Sequence, residues 1–359
     1  MRRLSAIVAA ALFLVSNIAV AQVPYSFQFV PVVSKAQGAN NTFWLSDLYI
    51  TNVGSSTSTV GVKYFPSDVS NTFNGTFPKT LTIPPGQNFS VMDVIGSWFP
   101  SYYAPPTVPA TKGYLIIADI TPQNCNVSSP PSSYPGLFAV TSRTYNTGDV
   151  RGTFGMTIPP PMEGMNFTTY PSVITGVINT GSTAPGFRTN VSVANLSTRP
   201  ITVRISAFKS DGSSAGTFQI KTILPLSFGQ WSVAALGFSM GSLPGRIEVK
   251  LDPPSQVANP CTCVTNTFTT NPCSTGSHYA LSSEPAFFAY ASMTDNGTGD
   301  GTFLGPVIDY VTYSAWKSKY KDDNCPNLSC LRFTPVEEFL RARGLGLLEE
   351  APVFRKVTK

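Results

Sequence analysis

The stretch FWLSDLYITNVGSS, residues Phe43–Ser56, decides the fold, because it alternates like a β-strand and returns later in the chain. In an extended chain Leu48 and Ile50 point to one side, while Tyr49 points to the other. This two-residue period is typical of a strand with one buried face and one face in water. The second copy, GFRTNVSVANLSTR, occupies Gly186–Arg199, 143 residues further on. The pattern predicts one such strand in each half of the chain.

Further blocks repeat in the same order, which indicates an internal duplication. At the same spacing TVGVKYF is followed by TVRISAF, and the turn IPPGQ is matched with LSFGQ, so that Gly86 falls on Gly229. The block KGYLIIAD (Lys112–Asp119) is aligned with GRIEVKLD (Gly245–Asp252), and RGTFG with DGTFLG. Because several blocks occur in the same order in both halves, we interpret the chain as a tandem duplication of one structural unit.

The spacing of the strand-like runs predicts an all-β fold. They recur about every ten residues and are separated by turns rich in Gly and Pro. We therefore expect two tandem antiparallel, immunoglobulin-like β-sandwich domains, residues 22–158 and 172–314, joined by a proline-rich linker over residues 159–171. The charged tail, residues 315–359, contains TPVEEFLRARGLGLLEE, where a threonine cap, a proline and early glutamates predict a short helix.

The first 21 residues are expected to be a signal peptide. Arg2 and Arg3 precede an apolar stretch, and AVA at Ala19–Ala21 matches a small-residue cleavage site. No second long apolar run follows, so we expect an exported protein, extracellular or on the cell surface, with the periplasm as an alternative and no membrane insertion. Over residues 22–314 Lys and Arg equal Asp and Glu in number, which argues against a nucleic-acid partner.

The Gly-rich runs that close the two copies allow two interpretations. SRTYNTGDVRGTFG (Ser142–Gly155) and ASMTDNGTGDGTFLG (Ala291–Gly305) have the composition of a last β-hairpin. Asp295 and Asp300 in the second run are the alternative, as calcium ligands in a loop with alternating oxygen donors. The first copy carries Arg151 there, and the closing glutamate of a calcium loop is missing. The hairpin is therefore favoured, and no cofactor is expected.

Catalytic candidates are few. A hydrolase with paired carboxylates is conceivable, since any two acids can meet in a fold. The sequence places the candidate aspartates at strand ends or turns, where they are expected to bond their own turns: Asp47, Asp93, Asp149, Asp295 and Asp300. The single histidine, His278, is expected in a surface loop, and no GxSxG motif accompanies it. We therefore expect no catalytic residue and no enzyme.

Six cysteines follow the signal peptide, and export favours disulfide bonds. They are Cys125, Cys261, Cys263, Cys273, Cys325 and Cys330. Cys325 and Cys330 are expected to close a small loop. One pair is expected within the cluster of three, with Cys273 as a partner, and a bridge from Cys125 to the remaining cysteine would join the domains. A zinc site is disfavoured, because the paired spacing and a second histidine are missing.

Three of these blocks resemble a known repeat. FRTNVSVAN, the turn IPPGQ and VTSRTYNTGDVRGTFGMTIP are similar to the repeat of a loosely defined group of secreted bacterial proteins of unassigned function. The resemblance covers Phe27–Val307. The first copy departs from it with FWLSD in place of FRTN, and the second with SMTDN in place of SRTYN. The resemblance implies tandem β-sandwiches and export, and it implies no catalytic residues.

We expect a structural or adhesive protein of an extracellular or surface assembly, with other surface proteins or itself as partners. The segment VPYSFQFVPVV (Val23–Val33) could add to a neighbour's sheet edge, although pairing within its own domain is favoured. The alternative function is carbohydrate binding, with Trp98, Tyr102 and Tyr103 in SWFPSYY as a ligand platform. That run could also pack over the end of a sandwich.

Overall fold

The computed structural model describes residues 27–38, 42–103, 110–121, 137–148, 152–159, 171–183, 185–252, 268–271, 278–281 and 285–308. Their regular secondary structure is almost entirely β, with 59% of residues in strands and 4% in helices, and the predicted tandem antiparallel sandwiches are confirmed. No helix among them is long and apolar enough to cross a membrane. The six cysteines, most of the proline-rich linker and the predicted C-terminal helix lie outside the described residues.

The described residues of the first half of the chain form eight strands and one short helix. The strands are β1 (Phe27–Gln37), β2 (Phe43–Asn52), β3 (Ser58–Pro66), β4 (Lys79–Ile83), β5 (Asn88–Val91), β6 (Thr111–Asp119), β7 (Phe138–Asn146) and β8 (Phe154–Ile158). Helix α1 (Val94–Trp98) and a 3₁₀ turn (Pro100–Tyr102) follow β5.

The described residues of the second half form eleven strands. They are β9 (Ser172–Asn179), β10 (Phe187–Asn195), β11 (Ile201–Phe208), β12 (Gln219–Ile223), β13 (Phe228–Ser232), β14 (Gly241–Leu251), β15 (Phe268–Asn271), β16 (His278–Leu281), β17 (Phe287–Asp295), β18 (Gly301–Leu304) and β19 (Pro306–Ile308). β15 and β16 form a separate two-stranded sheet in which His278 faces Asn271.

Each half contains two packed sheets whose equivalent strands follow the same order, with β19 added in the second half and with the two sheets of the first half joined through β1. Sheet A1 has the order β5-β2-β7-β8, and sheet B1 has the order β4-β3-β6-β1. Sheet A2 has the order β13-β10-β17-β18, and sheet B2 has the order β12-β11-β14-β9-β19. The duplication seen in the sequence is therefore also a duplication of topology. The last strands of A1 and A2, β7–β8 and β17–β18, are the predicted hairpins.

The N-terminal segment pairs within its own domain over its described part. Residues Phe27–Lys35 of β1 pair with β6, and Ala36 and Gln37 then pair with β2 in the other sheet. β1 therefore contributes to both A1 and B1. The backbone groups of this stretch are engaged inside the domain, as the favoured alternative predicted.

The strand pairing corrects the alignment of the block KGYLIIAD by one residue. Val60 of β3 faces Asp119, and its counterpart Val203 faces Leu251, so Asp119 corresponds to Leu251 and not to Asp252. The difference matters because a shift of one residue moves every side chain to the opposite face. In the corrected register the core residue Leu115 corresponds to the core residue Ile247.

The proline turn also needs a correction. The backbone N–H of Asn52 donates to Gln87 O at 3.0 Å, and that of Asn195 donates to Ser227 O at 2.8 Å, so Gln87 corresponds to Ser227. Gly86 therefore corresponds to Leu226 and not to Gly229. Both residues have positive φ, 69° for the glycine and 47° for the leucine. The turn conformation is shared although only one copy has the residue that adopts it without strain.

Three apolar clusters hold the molecule together. One lies between A1 and B1 and one between A2 and B2, as in any sandwich. The third lies between the two domains, where the outer face of B1 meets the outer face of A2. Its buried residues include Phe29, Phe65, Tyr114, Ile116 and Ala118 from B1, and Ala194, Phe228, Phe288 and Tyr290 from A2.

Directional contacts accompany this interdomain cluster. The rings of Phe29 and Phe288 meet edge to face with centroids 5.5 Å apart. The Tyr114 hydroxyl donates to Asn195 O at 3.2 Å, and Lys112 Nζ donates to Gln230 Oε1 at 3.1 Å. Because these bonds and the ring contact have defined geometry, they fix the orientation of one domain against the other.

Candidate functional site

The aromatic run predicted as a ligand platform lies over one end of the first sandwich. Asp93 caps α1, with its Oδ1 accepting from the Gly96 N–H at 3.0 Å. The half-buried Trp98 stacks on Phe89 with centroids 5.7 Å apart and packs against the core. Phe99 is buried. The run therefore has the geometry of the alternative interpretation, a segment packed over the sandwich end.

The two tyrosines of this run have different partners. Tyr102 meets the buried ring of Tyr64 edge to face at 5.3 Å and is 40% exposed. Tyr103 is half-buried, and Lys35 Nζ lies 4.7 Å from its ring centroid. Of the three predicted platform residues, Tyr102 presents the most open ring.

The sequence placed Asp47 at a strand end, and this is wrong. Asp47 lies in the middle of β2 and points to the outer face of A1. It is nevertheless completely buried. Its Oδ1 accepts from the Tyr145 hydroxyl at 3.1 Å and from the backbone N–H of Asp93 at 2.9 Å. Burial, together with the nearby Asp47 carboxylate, raises the pKa of Tyr145 to about 12.

Two cations border this cluster without pairing with Asp47. Arg143 faces Asp47 directly in the β2–β7 ladder, but its guanidinium donates to Thr153 O at 2.9 Å and lies 5.0 Å from the Tyr145 ring centroid. Lys35 pairs with the Asp93 carboxylate. The structure thus brings Asp47 and Asp93 together, and each carboxylate is held by donors that attach α1 to β1 and β2.

The aspartates of the second Gly-rich run bond their own turn. Asp295 Oδ1 accepts from the backbone N–H groups of Gly297 and Thr298 at 2.6 and 3.0 Å. Asp300 Oδ1 accepts from the Gly301 N–H at 3.0 Å. Among the described residues no three His, Cys, Asp or Glu side chains lie close enough to hold a metal ion. The disfavoured alternative, calcium binding by Asp295 and Asp300, stays untested, and Asp149 lies outside the described residues.

A groove on the outer face of B2 was not predicted from the sequence. Its volume is about 600 Å³, and we call it the B2 groove. Its lining residues are Ser206, Phe208, Ser214, Gly216, Thr217 and Phe218. Ser206 and Phe208 lie on β11, and the other four lie on the segment that leads into β12. The volume lies within the range of small-ligand sites, about 300–1,000 Å³.

Local chemistry folds the segment between β11 and β12 back over the sheet. Asp211 Oδ1 accepts from the backbone N–H of Ser213 at 2.8 Å, and Gly212 takes a positive φ of 84°. Ala215 is buried and attaches the segment to the core. A Cβ at Gly216 would lie 2.8 Å from Gly237 O, so this close approach requires glycine.

An arginine packs against each aromatic ring of the groove, and each arginine forms an ion pair with a carboxylate. The guanidinium carbon of Arg204 lies 4.2 Å from the ring centroid of Phe218, and Arg204 Nη2 bonds Asp252 at 2.6 Å. On the other side Arg246 lies 4.1 Å from the ring centroid of Phe208 and bonds Glu248 at 3.0 Å. These are cation–π contacts of the kind that fix a ring in place.

The sequence contained a partial signal for this groove. The strand TVRISAF alternates so that Arg204, Ser206 and Phe208 share the solvent face. That Phe218 completes the groove depends on the path of the segment after β11, which the alternation does not reveal.

No family model matches the chain, and neither the curated proteins nor the solved structures contain a match.

Proposed function

We propose that this chain is an exported, non-enzymatic adhesive or structural protein of an extracellular or cell-surface assembly. The observation that supports this proposal is that equivalent sheet faces of the two domains differ in polarity. Faces buried between the domains are apolar, while the same faces at the outer ends carry polar and charged residues. A tandem module of this kind extends a binding surface away from its attachment point.

Equivalent positions on B1 and B2 demonstrate this division. In the corrected register the interface residues Tyr114, Ile116 and Ala118 correspond to Arg246, Glu248 and Lys250. The first set is buried against the second domain, and the second set lies on the outer face of B2, which no described residue of the first domain covers. Since burying unpaired charge costs free energy, the B2 face is suited to water and not to a third domain.

The outer faces of the A sheets also differ in polarity, but here the apolar face belongs to the second domain and the more polar face to the first. The interface residues Ala194, Phe228, Phe288 and Tyr290 of A2 correspond to Thr51, Asn88, Ala139 and Thr141 of A1. Repetition of the interdomain contact between successive molecules would therefore bury polar residues on both sides. The pair is a closed unit, and an assembly would use surfaces other than this contact.

The test uses the mature chain from Gln22. Light scattering over a range of concentrations measures self-association, and a fluorescently labelled chain measures saturable binding to the cells that release it. Saturable binding or a defined oligomer supports the proposal. A chain that stays monomeric at every concentration and binds no surface contradicts it. A hydrolytic activity that disappears in Asp47→Asn would favour the paired-carboxylate hydrolase instead.

Carbohydrate binding is the second candidate function. It is favoured by two surfaces that expose aromatic rings, the stacked pair of Phe89 and Trp98 with nearby Tyr102, and the B2 groove. A glycan array probed with the wild-type chain and with Trp98→Ala and Tyr102→Ala tests the first surface. Unchanged binding in both variants would remove that surface from consideration.

A further inference from the structure

The B2 groove lies on a face whose counterpart in the first domain is covered. The outer face of B1 is buried against A2, whereas the outer face of B2 is free over the described residues. The groove is therefore at the end of the two-domain unit that points away from the interdomain contact. Phe218 is 45% exposed there.

The groove offers ring faces and unpaired hydroxyl groups to a ligand. Phe208 lies two residues from Ser206 along β11, and Phe218 immediately precedes Gln219, which pairs with Ile205. Among the described residues the hydroxyls of Ser206 and Thr217 take no protein hydrogen bond, so each can donate one bond and accept others. A sugar ring has the complementary chemistry, an apolar face of C–H groups and an edge of hydroxyls.

The two arginines that cover the rings of the groove are already paired with carboxylates. Arg204 is bonded to Asp252, and Arg246 is bonded to Glu248. A polyanion would have to compete with these carboxylates for the two guanidinium groups. A neutral ligand leaves both ion pairs intact and keeps both rings in position.

β11 itself offers no free edge for strand addition. β11 pairs with β12 on one side and with β14 on the other, so its backbone groups are already bonded. A peptide in the groove would find no backbone partners on β11 and would depend on the same rings and hydroxyls. Polyhydroxylated ligands use such groups more fully than peptides do.

From this arrangement we propose that the B2 groove binds a short segment of a neutral polysaccharide, with Phe218 and Phe208 contacting sugar rings and Ser206 and Thr217 bonding sugar hydroxyls. The inference rests on the proposed adhesive function, since it names the chemistry through which the chain would attach to a surface.

The experiment is isothermal titration of the mature chain with neutral oligosaccharides, namely cellohexaose, laminarihexaose, xylohexaose, mannohexaose and N-acetylchitohexaose. Heparin and a proline-rich decapeptide are titrated in parallel. We expect binding of at least one neutral oligosaccharide, little affected by salt and weakened about tenfold by Phe218→Ala. Thr217→Val and Ser206→Ala, which keep the side-chain volume nearly unchanged, should also weaken it.

Tyr49→Ala is the matched control, since it removes an exposed aromatic ring from the first domain outside both candidate carbohydrate surfaces. It should leave the affinity unchanged. The inference is overturned if no neutral oligosaccharide binds, if Phe218→Ala binds as well as wild type, or if only heparin or the peptide binds.

The cell-binding assay separates this inference from the function on which it rests. Cell binding without oligosaccharide binding overturns the groove inference and leaves the adhesive function standing. Loss of both overturns both. Oligosaccharide binding that requires Phe218, together with weakened cell binding by Phe218→Ala, supports both.

Discussion

Asn52 and Asn195 lie 143 residues apart in the chain and share two side-chain hydrogen bonds from the amide to backbone carbonyls. Each amide donates to the carbonyl four residues later, at 2.8 Å for the first and 2.7 Å for the second. Each also donates to an isoleucine carbonyl, Ile83 O at 2.7 Å and Ile223 O at 3.2 Å. Both side chains are completely buried, so each joins the end of one strand to the other sheet.

Replacing either asparagine should destabilise its domain. Asn195→Ala removes the donors to the Arg199 and Ile223 carbonyls, and unpaired buried groups cost about 1–3 kcal/mol each. We expect Asn52→Ala and Asn195→Ala each to lower the free energy of unfolding by about 2–4 kcal/mol. Urea denaturation measures the change. Asn88→Ala, at an exposed position on β5, is the control and should change little, and an equal loss in all three variants would contradict the argument.

Ile116 of B1 and Glu248 of B2 occupy equivalent positions, and replacing each by the other residue type should lower the free energy of unfolding by unequal amounts. Ile116→Glu places a charge in the interdomain cluster, and a buried unpaired charge costs about 3–5 kcal/mol. Glu248→Ile removes half of a partly exposed ion pair and should cost about 1 kcal/mol or less. Denaturation measures stability, and small-angle scattering shows whether Ile116→Glu separates the domains. Equal stability of the two variants would contradict the assigned interface.

Gly86 and Leu226 share a turn conformation, so exchanging glycine and leucine at these two positions should destabilise each domain for a different reason. Gly86→Leu forces positive φ on an exposed leucine with no neighbouring atoms, which should cost about 1–2 kcal/mol. Leu226→Gly relieves that strain but removes a side chain buried in the interdomain cluster, where large-to-small changes cost about 2–5 kcal/mol. We expect both variants to be less stable than wild type by urea denaturation. A stabilising Leu226→Gly would mean that strain exceeds packing at this turn.

Stability should fall between about pH 10 and pH 12 partly through Tyr145. The pKa of Tyr145 is about 12 in the folded chain, against about 10 for an unperturbed tyrosine. A raised folded pKa contributes stability that is complete below pH 10 and is lost as the pH rises through 12. Tyr145→Phe should therefore flatten the fall in urea midpoint over this range.

At neutral pH the same variant loses the hydrogen bond to Asp47 and should be less stable by about 1–2 kcal/mol. Tyr102→Phe, on an exposed ring, is the control and should follow the wild-type pH dependence. An alkaline transition of Tyr145→Phe as steep as that of wild type would show that Tyr145 has no part in it.

The fold was predictable because strand alternation, turn composition and duplication are all local signals. The run from Phe43 to Asn52 alternates, so its faces follow from the pleat alone. The Gly-rich runs form hairpins in both copies for the same reason. Asn52 and Asn195 end their strands, but their bonds to the opposite sheet were not predicted.

The candidate sites were predicted less well, because they depend on pairs of residues that are distant in sequence. Asp47 was placed at a turn since aspartate usually bonds its own backbone, yet it is buried under Tyr145, almost one hundred residues later. Trp98 belongs to an aromatic run, but its stacking on Phe89 depends on the direction in which α1 leaves β5.

By itself the sequence determined that the chain forms strands, that they pair antiparallel and that the unit occurs twice, because each conclusion depends on the spacing of residues close together in the chain. Tertiary structure alone decided which faces meet. Ile116 and Glu248 occupy equivalent positions of equivalent strands, and only the packing of B1 on A2 explains why one is apolar and the other charged. The physical reason is that the free energy of desolvation depends on which residues cover a side chain. Strand pleating specifies the face on which a side chain lies, but not whether another sheet packs over that face.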